Sequence, residues 1–580
     1  MTSDRLTLEE RRRAFVAARP TWEPRTLAQH LADGVARYGD RPLVVTDLRT
    51  YGYREVNARA RRIAAGLIAL GIQPGEHVAM VMANYPEWVP VKVAISAVGA
   101  VAVPVNHLLR GKEMGYVLRQ SDSVALVTME SFRGMDYLAA LDQVAPGWDA
   151  DVVSSGLPAL RHVVTFRPDG TKTRGGMDLG DLEACGERVA DAEVDDRVKA
   201  GRAEDLADII YTSGTTGFPR GAMLTHESML RSGYASALTK GFEVGRRVLF
   251  SLPLYHVFAY VEGLLATTFV GGSIVPQLAF DPGESLEATT KLKANEILLV
   301  PTMTTAILEH SALDDYDLSS LRTVMSAAAP APLRLWKLVT QKLGVREIVT
   351  GYGQSETAAS TVYTLPDDPL ELVSSTVGRP KLGGVAGVRE LGRFPTDLEC
   401  DWPASQYKTV DPFTGSDLIP GEEGELALRG PLVMLGYYHE PDETAAVLGE
   451  DGWMRSGDLG TVGPDGYLHL TGRSKELYKC GGELVAPKEV EETLSGRPDV
   501  AQAYVVGVPD DRMGEVGWAY VVASVGCSPS DTELIDHCRQ NLARFKVPRR
   551  VVLIGAAELP MTPTGKVQKF RLVERALSRS

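Results

Sequence analysis

"LADIIYTSGTTGFPRG", Leu206 to Gly221, begins as a largely apolar run and ends in a loop carrying four serine or threonine hydroxyls and three glycines. Glycine permits close backbone approach and positive φ, successive N–H groups can form an anion-binding nest, and the hydroxyls add donors. The spacing is neither G-x-x-x-x-G-K-S/T nor G-x-G-x-x-G. On its own the loop fits a phosphate cradle and a plain surface turn equally well.

Outward from it, helical and strand-like segments alternate. "TLAQHLADGVARY" places Leu27, Leu31, Val35 and Tyr38 on one helical face, and "PLVV" then reads as a buried strand. "EVNARARRIAAGLIALG" is helical, with Gly71 as its cap before the strand "HVAMVM". "VPVKVAISAVGAVAVPV" and "SVALVT" continue the rhythm. Strands alternating with helices predict an α/β fold with parallel sheets flanked by helices. Two stretches break the pattern: "CGERVADAEVDDRVKAGRAED" (Cys185–Asp205) reads as a surface connection, and "RELGRFPTDLECDWPASQY" (Arg389–Tyr407) as an inserted loop. Beyond "YLHLTGRSK" come three strand-like and two helix-like pieces, "EVEETL", "AQAYVVGV", "WAYVVASV", "ELIDHCRQNLARF" and "RRVVLI", enough for a small α+β domain. The expected division is a large N-terminal domain over residues 1–474 and a small C-terminal domain over 475–580, with the boundary near Lys475.

The 580 residues leave room for several domains, and 44% hydrophobic with 23% charged residues is ordinary for a globular protein. A formal net charge of −14 argues against a nucleic-acid binder, so any anionic ligand must be held locally. Five cysteines (Cys185, Cys400, Cys480, Cys527, Cys538) include no C-x-x-C pair, as in a reduced, cytoplasmic protein. "MTSDRLTLEERRRAF" lacks the apolar core of a signal peptide, its "EERRRAF" cluster reads as a solvated helix start, and no stretch suits a membrane span.

Four further stretches carry chemistry. "TGYGQSETA" sets Glu356 in a glycine-rich turn, and an acid beside a phosphate loop is a natural magnesium ligand, though an exposed loop glutamate reads the same way. "GWMRSGDLG" holds Asp458 and "LTGRSKEL" holds Arg473; together they suit a ribose, or simply a salt bridge between two loops. "LPMTPTGKVQK" places Lys566 after a Pro/Gly turn, where a solvated surface charge is the plain alternative.

These stretches, in this order and spacing, resemble the adenylate-forming superfamily of acyl-CoA synthetases, peptide-synthetase adenylation domains and firefly luciferase. The likeness runs from about Thr26 to Leu572. It implies a large N-terminal domain, a small mobile C-terminal lid that hinges at Lys475, and the ligands ATP, Mg²⁺ and CoA. By the same resemblance Thr212, Ser213, Gly214, Thr215, Thr216 and Gly217 grip the ATP phosphates, with Thr212 and Glu356 at the metal. Ala328, Ala329 and Pro330 of "SAAAPAP" lie against adenine; in the Gly351–Ser355 stretch, Gly351 and Gly353 flank Tyr352, which stacks on the base, and Gln354 and Ser355 lie near the α-phosphate. Asp458 and Arg473 hold the ribose. His256 of "LPLYHVFAY" lies at the acyl site, Lys566 reaches the α-phosphate, and Gly481 and Gly482 line the pantetheine tunnel.

Three features depart from the family pattern. Arg220 replaces the usual lysine at the end of the opening loop. Ala327 stands where glycine is common beside the acyl pocket, and its methyl favours a compact or planar acid over a long straight chain. The Arg389–Tyr407 insertion is the third. The implied activity is an ATP-dependent acid:CoA ligase acting on an aryl or medium-chain acid. Its alternative is an adenylating enzyme that hands the activated acid to a carrier-protein phosphopantetheine or an amine, nitrite activation for diazotisation included. Intact Lys566, Glu356 and Asp458 argue against a non-catalytic nucleotide-binding regulator.

Overall fold

The computed structural model describes residues 6–149, 155–171, 174, 176–212, 219–329, 331–389, 402–480, 483–510, 512–561 and 567–578, with Lys475 and Leu484 described in backbone only. The chain forms two compact units, one of Met1–Gln406 with Arg429–Met454, the other of Tyr407–Leu428 with Arg455–Ser580.

The first unit is built on two seven-stranded sheets. One runs Glu347–Val349, Thr323–Ser326, Glu296–Leu299, Arg247–Phe250, Ser273–Pro276, Pro42–Val45, Thr50–Gly52; only the last pairing is antiparallel. The other runs Arg220–Thr225, Leu206–Thr212, Val101–Pro104, His77–Val81, Ala125–Met129, His162–Phe166, Met177–Asp178; only the first pairing is antiparallel. Strands such as His77–Val81 and Ala125–Met129 are buried along their whole length, which is why they read as continuous apolar runs and not as alternations. The parallel α/β architecture expected from the sequence is the one observed.

Helices arise where the periodicity placed them. Leu27–Tyr38 starts on a capping box between Thr26 and Gln29 and buries Leu27 and Leu31, while Val35 and Tyr38 are half-buried. Tyr53–Ala69 stops at Gly71, whose φ of +80° lets the chain turn into the next strand. The polar stretch before the opening loop is not a bare connection: Asp191–Ala200 is a helix, with Asp191 and Glu193 in its first turn and Arg197 and Lys199 in its last, the order its dipole favours. It buries only Val194, so it shows no apolar stripe. Nor is the basic cluster near the start wholly solvated. Arg11 lies buried on helix Leu8–Ala18 and pairs with Glu347 and with Glu243, 3.7 Å away. Of the Arg389–Tyr407 insertion, residues 390–401 lie outside the described ones; Pro403 pairs with Leu382, and Gln406–Val410 is a strand.

The second unit contains two sheets. Gln406–Val410, Gly424–Arg429, Met454–Val462 and Leu468–Arg473 form the first in that order. The second joins Glu483–Val485, Tyr478–Cys480, Gly514–Ala523, Val500–Asp510 and, parallel to Gly514–Ala523, Arg550–Leu553. Helices Pro487–Ser495, Asp531–Asn541 and Lys569–Leu577 share a core with that sheet through Val490, Leu494, Leu534, Cys538, Leu572 and Ala576. The hairpin Tyr478–Val485 and the last helix are additions to what the sequence pattern suggested. Lys569 clamps this helix to the turn Ser474–Glu476, contacting Glu476 and lying 2.8 Å from Glu491.

Candidate active site

In parallel sheets, ligands bind at the carboxyl ends of the strands. Four neighbouring strands of the first sheet end there, three of them leading into a stretch singled out above. Glu347–Val349 leads to Gly351–Ser355, Thr323–Ser326 to Ala327–Ala329, Glu296–Leu299 to Val300–Thr304, and Arg247–Phe250 to His256. Ala327 is buried, whereas Ala328 and Ala329 are exposed. Ser326 and Thr304 hydroxyls meet at 2.9 Å, tying two of these strand ends together.

The backbone is strained here. Ala328, Ala358 and Ala359 have φ of +72°, +50° and +82°, values that a Cβ disfavours. Such outliers concentrate at functional sites because the surroundings hold them in place. What holds the turn Ser355–Thr357 is visible. The Thr357 hydroxyl accepts from Gln354 N–H at 3.2 Å and stands 3.0 and 3.1 Å from the Gln354 and Ala359 carbonyls. Gly353 is required by packing alone, since a Cβ there would lie 2.1 Å from the Ala359 carbonyl oxygen. Gly351 is as confined, its Cβ position being 2.6 Å from the Tyr363 ring.

The opening stretch supplies two strands, one on either side of residues 213–218, that pair antiparallel. Leu206–Thr212 pairs with Arg220–Thr225, and Thr212 faces Arg220 at the end of the pair. Ser213, Gly214, Thr215, Thr216 and Gly217 lie outside the described residues, as do Pro330, Gly481, Gly482 and Lys566. The turn bearing Glu356 packs against both hairpin strands. A segment that the sequence did not single out, Met434–Tyr438, runs beside them. Met434 N–H donates to the Glu356 carbonyl at 2.8 Å, Met223 N–H to Gly436 at 2.9 Å, and Tyr438 N–H to Gly221 at 2.8 Å. It brings Tyr437 over Glu356: the phenol donates to Glu356 Oε1 at 2.8 Å. Burial, and then the Glu356 charge, hold the Tyr437 proton far above its ordinary pKa, so this donor persists at any working pH. Nothing in "LGYYHEP" marks it locally, because the contact depends on the fold.

His256 accepts from the Phe258 N–H at Nδ1, 3.2 Å away, which leaves Nε2 as the protonated nitrogen of the neutral ring. It is followed by a π-helical stretch, Phe258–Leu265, a rare form that occurs frequently at functional sites. This stretch is anchored by fully buried Glu262, which accepts from the Tyr363 hydroxyl and from Ser360 N–H at 3.3 Å. Lys381 lies 3.9 Å from Glu262, and burial pulls its pKa down to about 8. The histidine segment is thereby bound to the strand that follows Glu356.

In the second unit, Asp458 and Arg473 occupy opposed positions on adjacent strands. Arg473 Nε donates to Asp458 Oδ1 at 2.9 Å; Asp458 is largely buried and Arg473 half-exposed. The salt bridge read from the sequence is therefore present, on strands and not between loops. Gly457 N–H donates to Glu425 at 3.0 Å, fixing the turn before Asp458. Lys475 follows in the turn Ser474–Glu476. Among the described residues, no three His, Cys, Asp or Glu side chains converge as metal ligands.

Loops gathered at the carboxyl ends of parallel strands, with a carboxylate-bearing turn packed on an antiparallel strand pair, suit an α/β enzyme that handles a small ligand. Family comparison makes this particular. A model of AMP-binding enzymes matches residues 31–438, and one of the AMP-binding enzyme C-terminal domain matches residues 489–566. The chain belongs to the AMP-binding enzyme family. A feruloyl-CoA synthase of Amycolatopsis sp. is 35% identical over 90% of this chain and 93% of its own. A methyl-dioxo-octahydroindenyl-propanoyl:CoA ligase of Mycobacterium tuberculosis is 33% identical over 95% and 99%. Among solved structures, the anthranilate CoA ligase AuaEII in complex with anthranoyl-AMP superposes with a TM-score of 0.79 at 26% identity, covering 97% of this chain and 99% of that one.

Proposed function

We propose that this protein is an ATP-dependent acid:CoA ligase, converting an aryl or medium-chain carboxylic acid to its acyl-AMP and then to the CoA thioester. The observation that carries this reading is the convergence of the Tyr352, Ala328 and His256 stretches at neighbouring strand ends, in a chain whose relatives along its whole length are acid:CoA ligases. The three relatives named act on acids that carry rings, and a methyl at Ala327, buried at the end of its strand, is the residue that would favour such an acid over a long straight chain.

In the first half-reaction a carboxylate oxygen bonds to the α-phosphorus, the bond to the bridging β-oxygen breaks, and pyrophosphate leaves. Both reactants are anions, so the protein must supply positioning and positive charge. Hairpin residues Thr212 to Gly217 hold the phosphates, Ala328–Pro330 and Tyr352 the adenine, Gln354 and Ser355 the α-phosphate region, and Asp458 with Arg473 the ribose. Lys566 offsets the charge that builds on the α-phosphate. Mg²⁺ usually takes one or two protein carboxylates plus substrate phosphates, so Glu356 with the Thr212 hydroxyl would hold it, and it would supply charge neutralisation on the phosphates. In the second half-reaction the CoA thiolate attacks the acyl carbon and AMP leaves. Gly481 and Gly482 line the pantetheine path after rotation about Lys475, the boundary we assign between the 1–474 and 475–580 domains. Reliance on ATP and CoA, with Cys185, Cys480, Cys527 and Cys538 all free thiols, supports a cytoplasmic location.

A panel of aryl, alicyclic and linear acids, scored by pyrophosphate release with and without CoA, tests the reading. Multiple turnovers that require both acid and CoA are expected. Equal turnover without CoA, supported by an added amine, would replace the acceptor; no acid-dependent release would remove the activity. With the preferred acid identified, Ala327→Gly is expected to raise kcat/KM for a longer linear acid relative to it by about 10-fold, the usual worth of one methylene or so in an apolar pocket. An unchanged ratio would place Ala327 away from the acyl group.

A further inference from the structure

Arg220 ends the hairpin loop at the position where the family pattern has lysine, and its surroundings show what the guanidinium does there. The side chain is nearly buried, with 11% exposed, and its NH1 lies 2.7 Å from Glu443 Oε2. Its Cζ is 5.6 Å from the centroid of the Tyr437 ring, so the cation lies over the phenol. The Tyr437 hydroxyl donates to Glu356 Oε1 at 2.8 Å, so its proton is directed onto that carboxylate. The tyrosine backbone is fixed as well, its N–H donating to Thr444 Oγ1 at 2.8 Å and its residue bridging to Ala222.

We infer that Arg220 is a positioning residue. By bridging Glu443 and Tyr437 it orients the Tyr437 hydroxyl, and through it the Glu356 carboxylate, for the divalent cation that accompanies ATP. A planar guanidinium can pair with a carboxylate while it lies over an aromatic ring; a lysine ammonium on a flexible stem keeps the charge but not that geometry. The inference rests on the proposed role of Glu356 at Mg²⁺. Partners of a metal ligand that act one step removed typically affect affinity by 10-fold or more.

The test is calorimetric binding of ATP to the full-length chain, with Mg²⁺ and with EDTA, which reads the coupling between metal and nucleotide without turnover. Tyr437→Phe and Arg220→Lys are each expected to cut the Mg²⁺-induced gain in ATP affinity by about 10-fold, while metal-free ATP affinity stays as in the native chain. Glu443→Gln should shift it in the same direction. The double variant Arg220→Lys/Tyr437→Phe should match Tyr437→Phe alone, because one residue acts through the other. Thermal melts check folding, and Tyr437→Phe with Glu443→Gln carries the test if Arg220→Lys does not fold. Equal weakening of ATP with and without Mg²⁺ in Arg220→Lys would make Arg220 a direct phosphate contact and overturn the inference, as would multiplicative losses in the double variant. A native chain whose ATP affinity ignores Mg²⁺ would instead remove the metal role of Glu356 itself.

Discussion

Replacing Lys566 with alanine is expected to lower acid-dependent ATP–pyrophosphate exchange by about 10²–10³-fold, equivalent to about 3–4 kcal/mol of transition-state stabilisation. Thiolation of supplied acyl-AMP by CoA should be largely retained. The asymmetry follows from charge. Adenylation places extra negative charge on a phosphorus already flanked by anions, and a cation there acts only as that charge develops. Thiolation expels AMP from a neutral acyl carbon and has no such demand at the phosphorus. The residues on either side of Lys566 are pinned independently of it: Met561 bridges to Val567, Gln568 N–H donates to the Pro560 carbonyl at 2.7 Å, and Lys569 holds Glu476 and Glu491. Removing the lysine should thus leave the melting temperature of the chain unchanged. Exchange and single-turnover thiolation, measured on one preparation, decide the matter; equal loss in both half-reactions would assign Lys566 to a general binding role.

How far these features could be read in advance depended on whether their signal was local. The strands His77–Val81 and Ala125–Met129 and the helix Leu27–Tyr38 announce themselves through burial periodicity, and the structure places them accordingly. The α/β class follows from their alternation. Helix Asp191–Ala200 was hidden because a helix that buries a single valine leaves no stripe. Glu356 was legible as a carboxylate in a glycine-rich turn, yet its partner Tyr437 was not: a tyrosine becomes a carboxylate's donor only when a distant segment is laid along the hairpin. Arg220 shows the same limit from the other side. Its departure from a lysine pattern was visible, but the reason, a guanidinium paired with Glu443 and lying over the Tyr437 ring, requires three segments in place. Asp458 and Arg473 were paired correctly and their setting misjudged, because cross-strand register is not written in either stretch.

Acidification should destabilise the first unit sharply between pH 7 and pH 5. His226 and His107 are buried, and burial lowers their pKa values to about 3 and about 4; His30 is held well below its ordinary value for the same reason, with Arg25, Arg19 and Arg37 adding to it. His226 is neutral in its contacts too, its Nδ1 accepting from Leu27 N–H at 3.3 Å while Lys92 opposes its charging. The unfolded chain takes up protons at these rings near pH 6.5 and the folded chain does not, so their contribution is full above pH 6.5 and is lost as pH falls toward the folded values. At pH 5 the deficit is about 1.5 pKa units, or about 2 kcal/mol for each of His226 and His107, against a total stability of about 5–15 kcal/mol. Asp208 and Glu491, whose pKa values burial raises, work in the opposite sense, which is why a variant and not the native profile alone is the decisive comparison. Guanidinium unfolding of His226→Asn, whose amide oxygen can still accept from Leu27 N–H, should lose about 2 kcal/mol less than the native chain over the same pH interval. An identical pH dependence in both proteins would mean that His226 titrates in the folded state as it does in water, and that acid lability originates elsewhere.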